Sequence, residues 1–215
     1  MTAVAMAAAR LVPTLEGERC TLRQLRIEDA PSLARHADNE AVWRNLFEGF
    51  PQPYTLADAQ AWCDAARRPA AAGFVWGIEV AGQEGREVAG CISLRPDAGW
   101  LRCNAELGYW LGEAHWRRGL MSEAASLITA WAWATLPEVT RIYAPIFAWN
   151  EGSQRVAMKA GYALEASLPQ SAIKAGRVID RVQYAASGRA EAPRTAGDTR
   201  AIAGFHTEFC ELINN

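Results

Sequence analysis

A short basic turn, Trp116-Arg117-Arg118-Gly119, runs into Leu120-Met121-Ser122 and a long apolar-periodic stretch. Backbone N–H groups at a helix start have no intrahelical partner and carry the positive end of the helix dipole, so such a turn attracts phosphate. Arg117 and Arg118 add charge, and Gly119 lets the main chain approach an anion with no side chain in the way. The Ser122 hydroxyl adds a donor. Taken alone, a solvated basic turn that merely starts a helix explains the same residues equally well. No Gly-x-x-x-x-Gly-Lys-Ser/Thr is present, and residues 82–85 form no dinucleotide fingerprint, so NTP hydrolysis and hydride transfer lose their usual anchors. What remains is a phosphate-bearing ligand, first of all a pyrophosphate, held mainly by main-chain donors.

The elements around this turn decide what it can do. Upstream, Glu106-Leu107-Gly108-Tyr109-Trp110-Leu111 reads as the end of a strand over residues 102–111. Leu120, Ala124, Leu127, Ile128 and Trp131 recur at helical spacing, and Pro137 stops that helix. A buried strand over 139–146 follows, then a helix with Asn150 as its cap, Ser153, Val156, Ala157 and Ala160 on one face, and Gly161 at its close. If the two strands pair in parallel, the two helix starts fall side by side.

The rest of the chain supplies a sheet and its cover. A first strand is expected over 19–25, helices over 28–37 and 55–68, and a hairpin of 74–80 with 88–94. The Thr55 and Asp58 pair marks the start of the second helix. A last strand pair, 162–168 and 177–185, spans a loop with Pro169 and Gly176. Residues 38–54 hold Trp43, Arg44, Phe47, Phe50 and Tyr54, too long a connection for a minimal turn. Together with the loop at 169–177 it is expected to choose the substrate, although a segment that only seals the core reads the same way.

With 215 residues, half of them hydrophobic, the chain has room for one domain with a substantial core. The expected division is an N-terminal extension over 1–18, the domain over 19–186, and a C-terminal linker with a short helix over 187–215, where Ile202, Phe205, Phe209 and Leu212 share helical spacing. A net charge of -2 gives no global pull toward nucleic acid or anionic membrane. The longest apolar stretch, near 127–136, is broken by Thr129 and Thr135 and falls short of the ~20 residues of a membrane span. Five widely spaced cysteines without a CxxC pair read as reduced thiols, and with no secretory leader a cytoplasmic location is expected. His36, His115 and His206 fall at no metal-ligand spacing, so no metal is expected.

The strand 106–111, the loop 116–124, and Asn150 with Ser153, Arg155, Met158, Lys159, Gly161 and Tyr162 together resemble the GNAT superfamily of acyl-CoA-dependent N-acetyltransferases. The likeness is greatest to its ribosomal-protein alanine acetyltransferase (RimJ/RimL) branch, and it covers residues 19–185. It implies an α/β (α+β) fold: a mixed, mainly antiparallel sheet of about seven strands, helices on both faces, and a splayed parallel pair forming the acetyl-CoA cleft. It further implies that main-chain N–H groups of Arg117, Arg118, Gly119, Leu120, Met121 and Ser122, with Trp116, hold the CoA pyrophosphate. The strand edge at Tyr109, Trp110 and Leu111 would pair with pantetheine. Asn150 and Ser153 would meet the arm near the thioester, and Arg155 and Lys159 would meet a phosphate or face solvent. Two departures stand out: Met121, where the superfamily has a small residue, and Met158, where some relatives place a tyrosine acid.

For the chemistry, an amine must attack the thioester in its neutral form, and the developing oxyanion needs a donor. Main-chain N–H groups near residues 109–111 are candidates for that donor. Glu106 is the candidate base, with an ion pair to an arginine such as Arg102 or Arg141 as its alternative. Ser153 or water would return a proton to the CoA thiolate. The expected activity is acetyl transfer from acetyl-CoA to a primary amine, a protein N-terminal α-amine or a small molecule, in a ternary complex. A CoA-binding regulatory module without turnover is the alternative. The expected partners are the amine acceptor and a second copy of the chain, with neither nucleic acid nor membrane.

Overall fold

The computed structural model describes residues 12–68, 73–82 and 85–188. The expected C-terminal helix near residues 202–212 lies outside the described residues. Eight strands make one sheet in the order β1-β2-β3-β4-β5-β6-β8-β7. They are β1 Leu15–Glu16, β2 Thr21–Arg23, β3 Phe74–Gly82, β4 Gly85–Pro96, β5 Asn104–Leu111, β6 Arg141–Phe147, β7 Ala163–Lys174 and β8 Arg177–Ser187. The helices are α1 Ala30–Ala37, α2 Glu40–Trp43, α3 Leu56–Ala66, α4 Leu120–Thr135 and α5 Glu151–Lys159. Every neighbouring pair is antiparallel except β5 with β6. The fold is thus the mixed α/β arrangement the sequence implies, with one more strand: β1 lies inside the expected N-terminal extension and pairs Leu15 with Leu22.

Both faces of the sheet are covered, which is why β3 and β4 read as near-continuous apolar runs. Alternate residues divide between two cores. Trp76, Ile78, Ile92 and Leu94 pack with Leu107, Ile128 and Ile142 under α4 and α5. Val75, Val88 and Cys91 pack with Leu25, Leu33 and Cys63 under α1 and α3. On α4, the alanines at 124, 125 and 132 are completely buried beside Ile128, so the helix lies close on the sheet.

Local chemistry sets the element ends. Thr55 and Asp58 form the expected capping box, each accepting from the other's backbone N–H, at 3.2 and 2.8 Å. Gly161 takes φ 88° past α5, and Tyr162 N–H reaches Ala157 O at 3.0 Å, closing the helix in a Schellman turn. The last hairpin differs from expectation. Its turn is at Ala175 and Gly176, φ 50° and 71°, and β7 continues through Pro169. β7 is the sheet edge, where a missing N–H is tolerated, and the register is irregular between Leu168 and Ala172.

Arg23 fastens β2 to the rest. Its guanidinium grips Asp29 with two bonds of 2.8 Å and Glu79 with one of 2.6 Å, and the three side chains are 12%, 10% and 17% exposed. Arg23→Leu should leave the buried Asp29 carboxylate without a cation, while Glu79 keeps Arg86 at 2.7 Å, and should remove about 3–5 kcal/mol of stability, read as a lower denaturant midpoint at pH 7.

Candidate acyl-transfer cleft

β5 and β6 pair only over Asn104–Arg141, Ala105–Ile142 and Glu106–Tyr143. Beyond Glu106 the strands diverge, and the gap between β5, the start of α4 and the start of α5 is a cleft of about 590 Å³. Gly112 N–H bonds to Ala89 O on β4 at 2.8 Å. By the two-residue alternation of a strand, the main-chain groups of Trp110 also face β4, while those of Tyr109 and Leu111 face the open edge. The expected pairing edge is therefore Tyr109 and Leu111. Trp110 enters the wall through its side chain, which lies edge-on to Phe50.

The basic turn forms one end of the cleft. Gly119 caps α4 with φ 78°, and Arg117 has φ 61°, so the chain curls through two left-handed residues before the helix. The first helical bond is Glu123 N–H to Gly119 O, 3.1 Å, leaving the N–H groups of Leu120, Met121 and Ser122 as the orphans of the first turn. The side chains of Leu120 and Met121 are buried in the core, so Met121 has its pocket and leaves its N–H clear. Trp116 Nε1 donates to Leu111 O at 2.7 Å, tying the turn back to β5. Glu123, which the sequence reading passed over, accepts the N–H groups of Glu18 and Arg19 at 2.8 and 2.9 Å and moors the N-terminal hairpin to the helix start.

The opposite wall is α5. Asn150 Oδ1 accepts Ser153 N–H at 3.0 Å, so that oxygen serves as the helix cap. Ser153 Oγ donates to Tyr109 Oη at 2.9 Å, and Tyr109 Oη donates to Ser153 O at 3.1 Å. This pair bridges the walls at the floor of the splay, and burial pushes the Tyr109 phenol up to about 12. Tyr162, by contrast, is core, with its hydroxyl on Thr129 at 2.7 Å. Arg155 and Lys159 line the cleft, but Arg155 is exposed and paired with Glu151 at 3.1 Å.

Every residue expected to hold the cofactor lines this cleft; Glu106 does not. Glu106 sits on the paired stretch of the strand, roughly 10 Å along β5 from Tyr109. It forms an ion pair with Arg95 at 2.7 Å, directly opposite on β4, rather than with Arg102 or Arg141. Among the described residues lining the cleft, the only carboxylate is Glu151.

The two expected substrate segments do meet. Ala41, Val42, Arg44, Asn45 and Leu46 line the mouth, while Phe50 and Tyr54 seal the second core beneath, so the 38–54 connection both lines the cleft and covers the core. Trp149 Nε1 donates to Asn45 Oδ1 at 3.1 Å across the mouth. At the hairpin tip, Lys174 Nζ lies 3.8 Å from the centre of the Trp43 ring, and Glu48 accepts the Ala175 N–H at 2.7 Å. Next to the basic turn, the His115 ring is buried, with Nδ1 3.2 Å from Arg118 Nη1. Burial holds both His115 and its neighbour His36 below the ordinary imidazole range.

A splayed parallel pair, an open strand edge and a helix start with orphan N–H groups are the features expected of an acyl-CoA cleft. The chain belongs to the acetyltransferase (GNAT) domain family, whose sequence profile matches residues 19–163. It is 30% identical over 178 residues to the uncharacterized N-acetyltransferase YoaA of Bacillus subtilis (strain 168), covering 81% of this chain and 96% of that protein. Among solved structures, it resembles a GNAT-family acetyltransferase from Bacillus anthracis, with TM-score 0.70, 20% identity, and 81% and 98% coverage. It also resembles RimJ of Mycobacterium smegmatis in complex with CoA-disulfide, with TM-score 0.70, 19% identity, and 85% and 89% coverage. The protein is an acetyl-CoA-dependent N-acetyltransferase.

Proposed function

We propose that this enzyme transfers acetyl from acetyl-CoA to a protein N-terminal α-amine, as a member of the RimJ/RimL-like branch, by direct attack in a ternary complex. The observation that carries the reading is the divergence of β5 from β6 beyond Glu106, which leaves the Tyr109 and Leu111 N–H groups on an open edge beside the α4 start. Pantetheine lies along that edge and the pyrophosphate meets the N–H groups of Leu120, Met121 and Ser122. The thioester carbonyl then comes within reach of an edge N–H, which stabilises the oxyanion that forms as the amine attacks. Collapse expels CoA thiolate; the Tyr109 phenol gives it a proton as its bond to Ser153 O opens, and the solvent that takes the proton shed by the amine returns one to the phenoxide. Among the described residues four cysteines are free thiols, three of them buried, which supports the proposed cytoplasmic setting; no described helix is long and apolar enough to cross a membrane.

The Glu106–Arg95 pair supports the choice of acceptor. With Glu106 paired outside the cleft, and Glu151, the carboxylate that lines it, exposed and paired with Arg155, the amine arrives neutral and sheds its proton to water after attack. An α-amine, with pKa about 7.7–8.0, is roughly one-tenth neutral at pH 7, whereas a lysine-like amine near 10.4 is neutral in only about one molecule in a few thousand. That difference favours an N-terminal acceptor by more than a hundredfold before any contact is made. Glu106→Gln should accordingly keep turnover within about threefold of the parent, and the acidic limb of the rate should follow the acceptor's own pKa. Steady-state rates with two acceptors of different pKa check both statements; a limb that stays fixed while the acceptor changes, and vanishes in Glu106→Gln, would restore Glu106 as the base.

The acceptor itself is tested by offering acetyl-CoA with peptides of varied first residue beside polyamines, aminoglycosides and free amino acids, and weighing the products. Acetylation at a peptide N-terminus supports the reading. Product on small amines alone reassigns the acceptor.

A further inference from the structure

Glu87, on β4, lies where three elements meet: His36 comes from the end of α1 and His115 from the short turn that precedes the basic loop. His36 Nε2 is 3.4 Å and His115 Nε2 is 3.5 Å from one and the same oxygen, Glu87 Oε1. All three ligand-type atoms lie within 4.8 Å of one another. The two separations exceed an N–H···O hydrogen bond of roughly 2.7–3.2 Å. They match instead the edge, about 3.3 Å, of a tetrahedron of ligands held about 2.05 Å from a central ion.

The surroundings fit a cation better than a finished hydrogen-bond cluster. His36 Nε2 is sealed from solvent with no hydrogen-bond partner, and the His36 and His115 side chains are only 10% and 7% exposed. An unpaired polar atom in that setting is costly, and an ion at the centre would relieve it. A Cβ added to Gly112 would stand 2.6 Å from His36 Nδ1, so that edge of the ring is pressed against the backbone. Arg35 holds Glu87 Oε2, which orients the carboxylate and leaves Oε1 for the ion.

We propose that His36 Nε2, His115 Nε2 and Glu87 Oε1 bind one divalent transition cation of the zinc class, with water in the fourth position. Two imidazoles with one carboxylate suit Zn²⁺, Co²⁺ or Ni²⁺ rather than the oxygen-seeking Mg²⁺ and Ca²⁺. The ligands come from three separate elements, 51 and 28 residues apart in sequence, so no short spacing announces them; the expectation of no metal rested on spacing alone.

Arg118 opposes the site. A guanidinium only donates, so its contact with His115 Nδ1 leaves the ring proton on Nε2, the atom the cation requires. Binding therefore needs that contact to open and the proton to move to Nδ1 or leave. Removing Arg118 should strengthen cation binding, whereas it would create no site in a cluster that merely shares hydrogen bonds. The assignment does not depend on which amine is acetylated, and it is read without any turnover measurement.

The full chain, stripped with a chelator, desalted and kept reduced, is titrated with CoCl₂. The expected result is one equivalent bound, with the intense visible d–d absorption of four-coordinate cobalt, no thiolate charge-transfer band, and displacement by Zn²⁺. His36→Ala and His115→Ala should lose the band, Glu87→Gln should weaken binding at least about tenfold, and Arg118→Met should tighten it. Zn²⁺ should raise the unfolding temperature of the parent and not of the histidine variants. If a histidine variant does not fold, the near-isosteric Glu87→Gln and the opposite shift in Arg118→Met carry the test. No cobalt band in the parent, a thiolate band that places the ion on cysteines, or binding undiminished in Glu87→Gln overturns the proposal.

Discussion

Gly119→Val should weaken binding of CoA by about a hundredfold while lowering the thermal unfolding of the apo-protein by no more than about 10 °C. Gly119 sits at φ 78°, where an L-residue pays about 1–2 kcal/mol and a β-branched one more. On the protein side there is room: the nearest atoms to an added Cβ are those of Arg19 at 3.6 Å, an ordinary contact with a flexible, half-exposed side chain. The larger effect lies on the ligand side, where the side chain would stand in front of the N–H groups of Leu120, Met121 and Ser122. Charge-assisted hydrogen bonds contribute about 1.5–3 kcal/mol each, so losing one or two corresponds to the stated factor. Titration calorimetry with CoA measures it. Acetyl-pantetheine, which lacks the pyrophosphate, supplies the control: its KM should be the same in parent and variant. An equal loss with both substrates would mean that Gly119→Val deforms the cleft generally and that the α4 start is not the phosphate site.

How much of this arrangement the sequence discloses depends on the range of the interaction. Caps and turns are written locally: Thr55 with Asp58, Asn150 with Ser153, and Gly119 before α4 are short-range signals, and the elements they bound fall where expected to within a few residues. The wall proposed for the cofactor is legible because it consists of two helix starts and one strand end, each readable by itself. Glu106 is different. Its partner is set by which residue of β4 lies opposite, and the register places Arg95 there, a fact that no spacing within β5 contains. The last hairpin differs for a related reason: Pro169 reads as a loop former until its strand is known to be the sheet edge. The Tyr109–Ser153 bridge and the His36–Glu87–His115 cluster are made only when the sheet closes. They join residues on separate elements, and aromatic or histidine identity alone gives no hint of the meeting.

Tyr109→Phe should lower kcat by about a hundredfold with little change in the KM for acetyl-CoA. The phenol joins the two walls of the splay, donating to Ser153 O and accepting from Ser153 Oγ. Losing a buried hydrogen bond costs stability of about 1 kcal/mol. A hundredfold in rate corresponds to about 2.7 kcal/mol, so the loss of turnover should exceed what the fold alone loses. General-acid assistance commonly contributes a factor of about 10²–10⁴, and a thiolate, being a good leaving group, calls on the low end of that range. The pH dependence separates this role from a merely structural one. Because burial pushes Tyr109 up to about 12, its proton is retained across any ordinary assay range, and the parent should show no alkaline limb from this group. If the two hydroxyls act as a unit, Ser153→Ala and the double variant should each cost about as much as Tyr109→Phe, the non-additivity expected of coupled groups. Additive losses would separate the two side chains, and an unchanged kcat in Tyr109→Phe would leave the thiolate to be protonated by water alone.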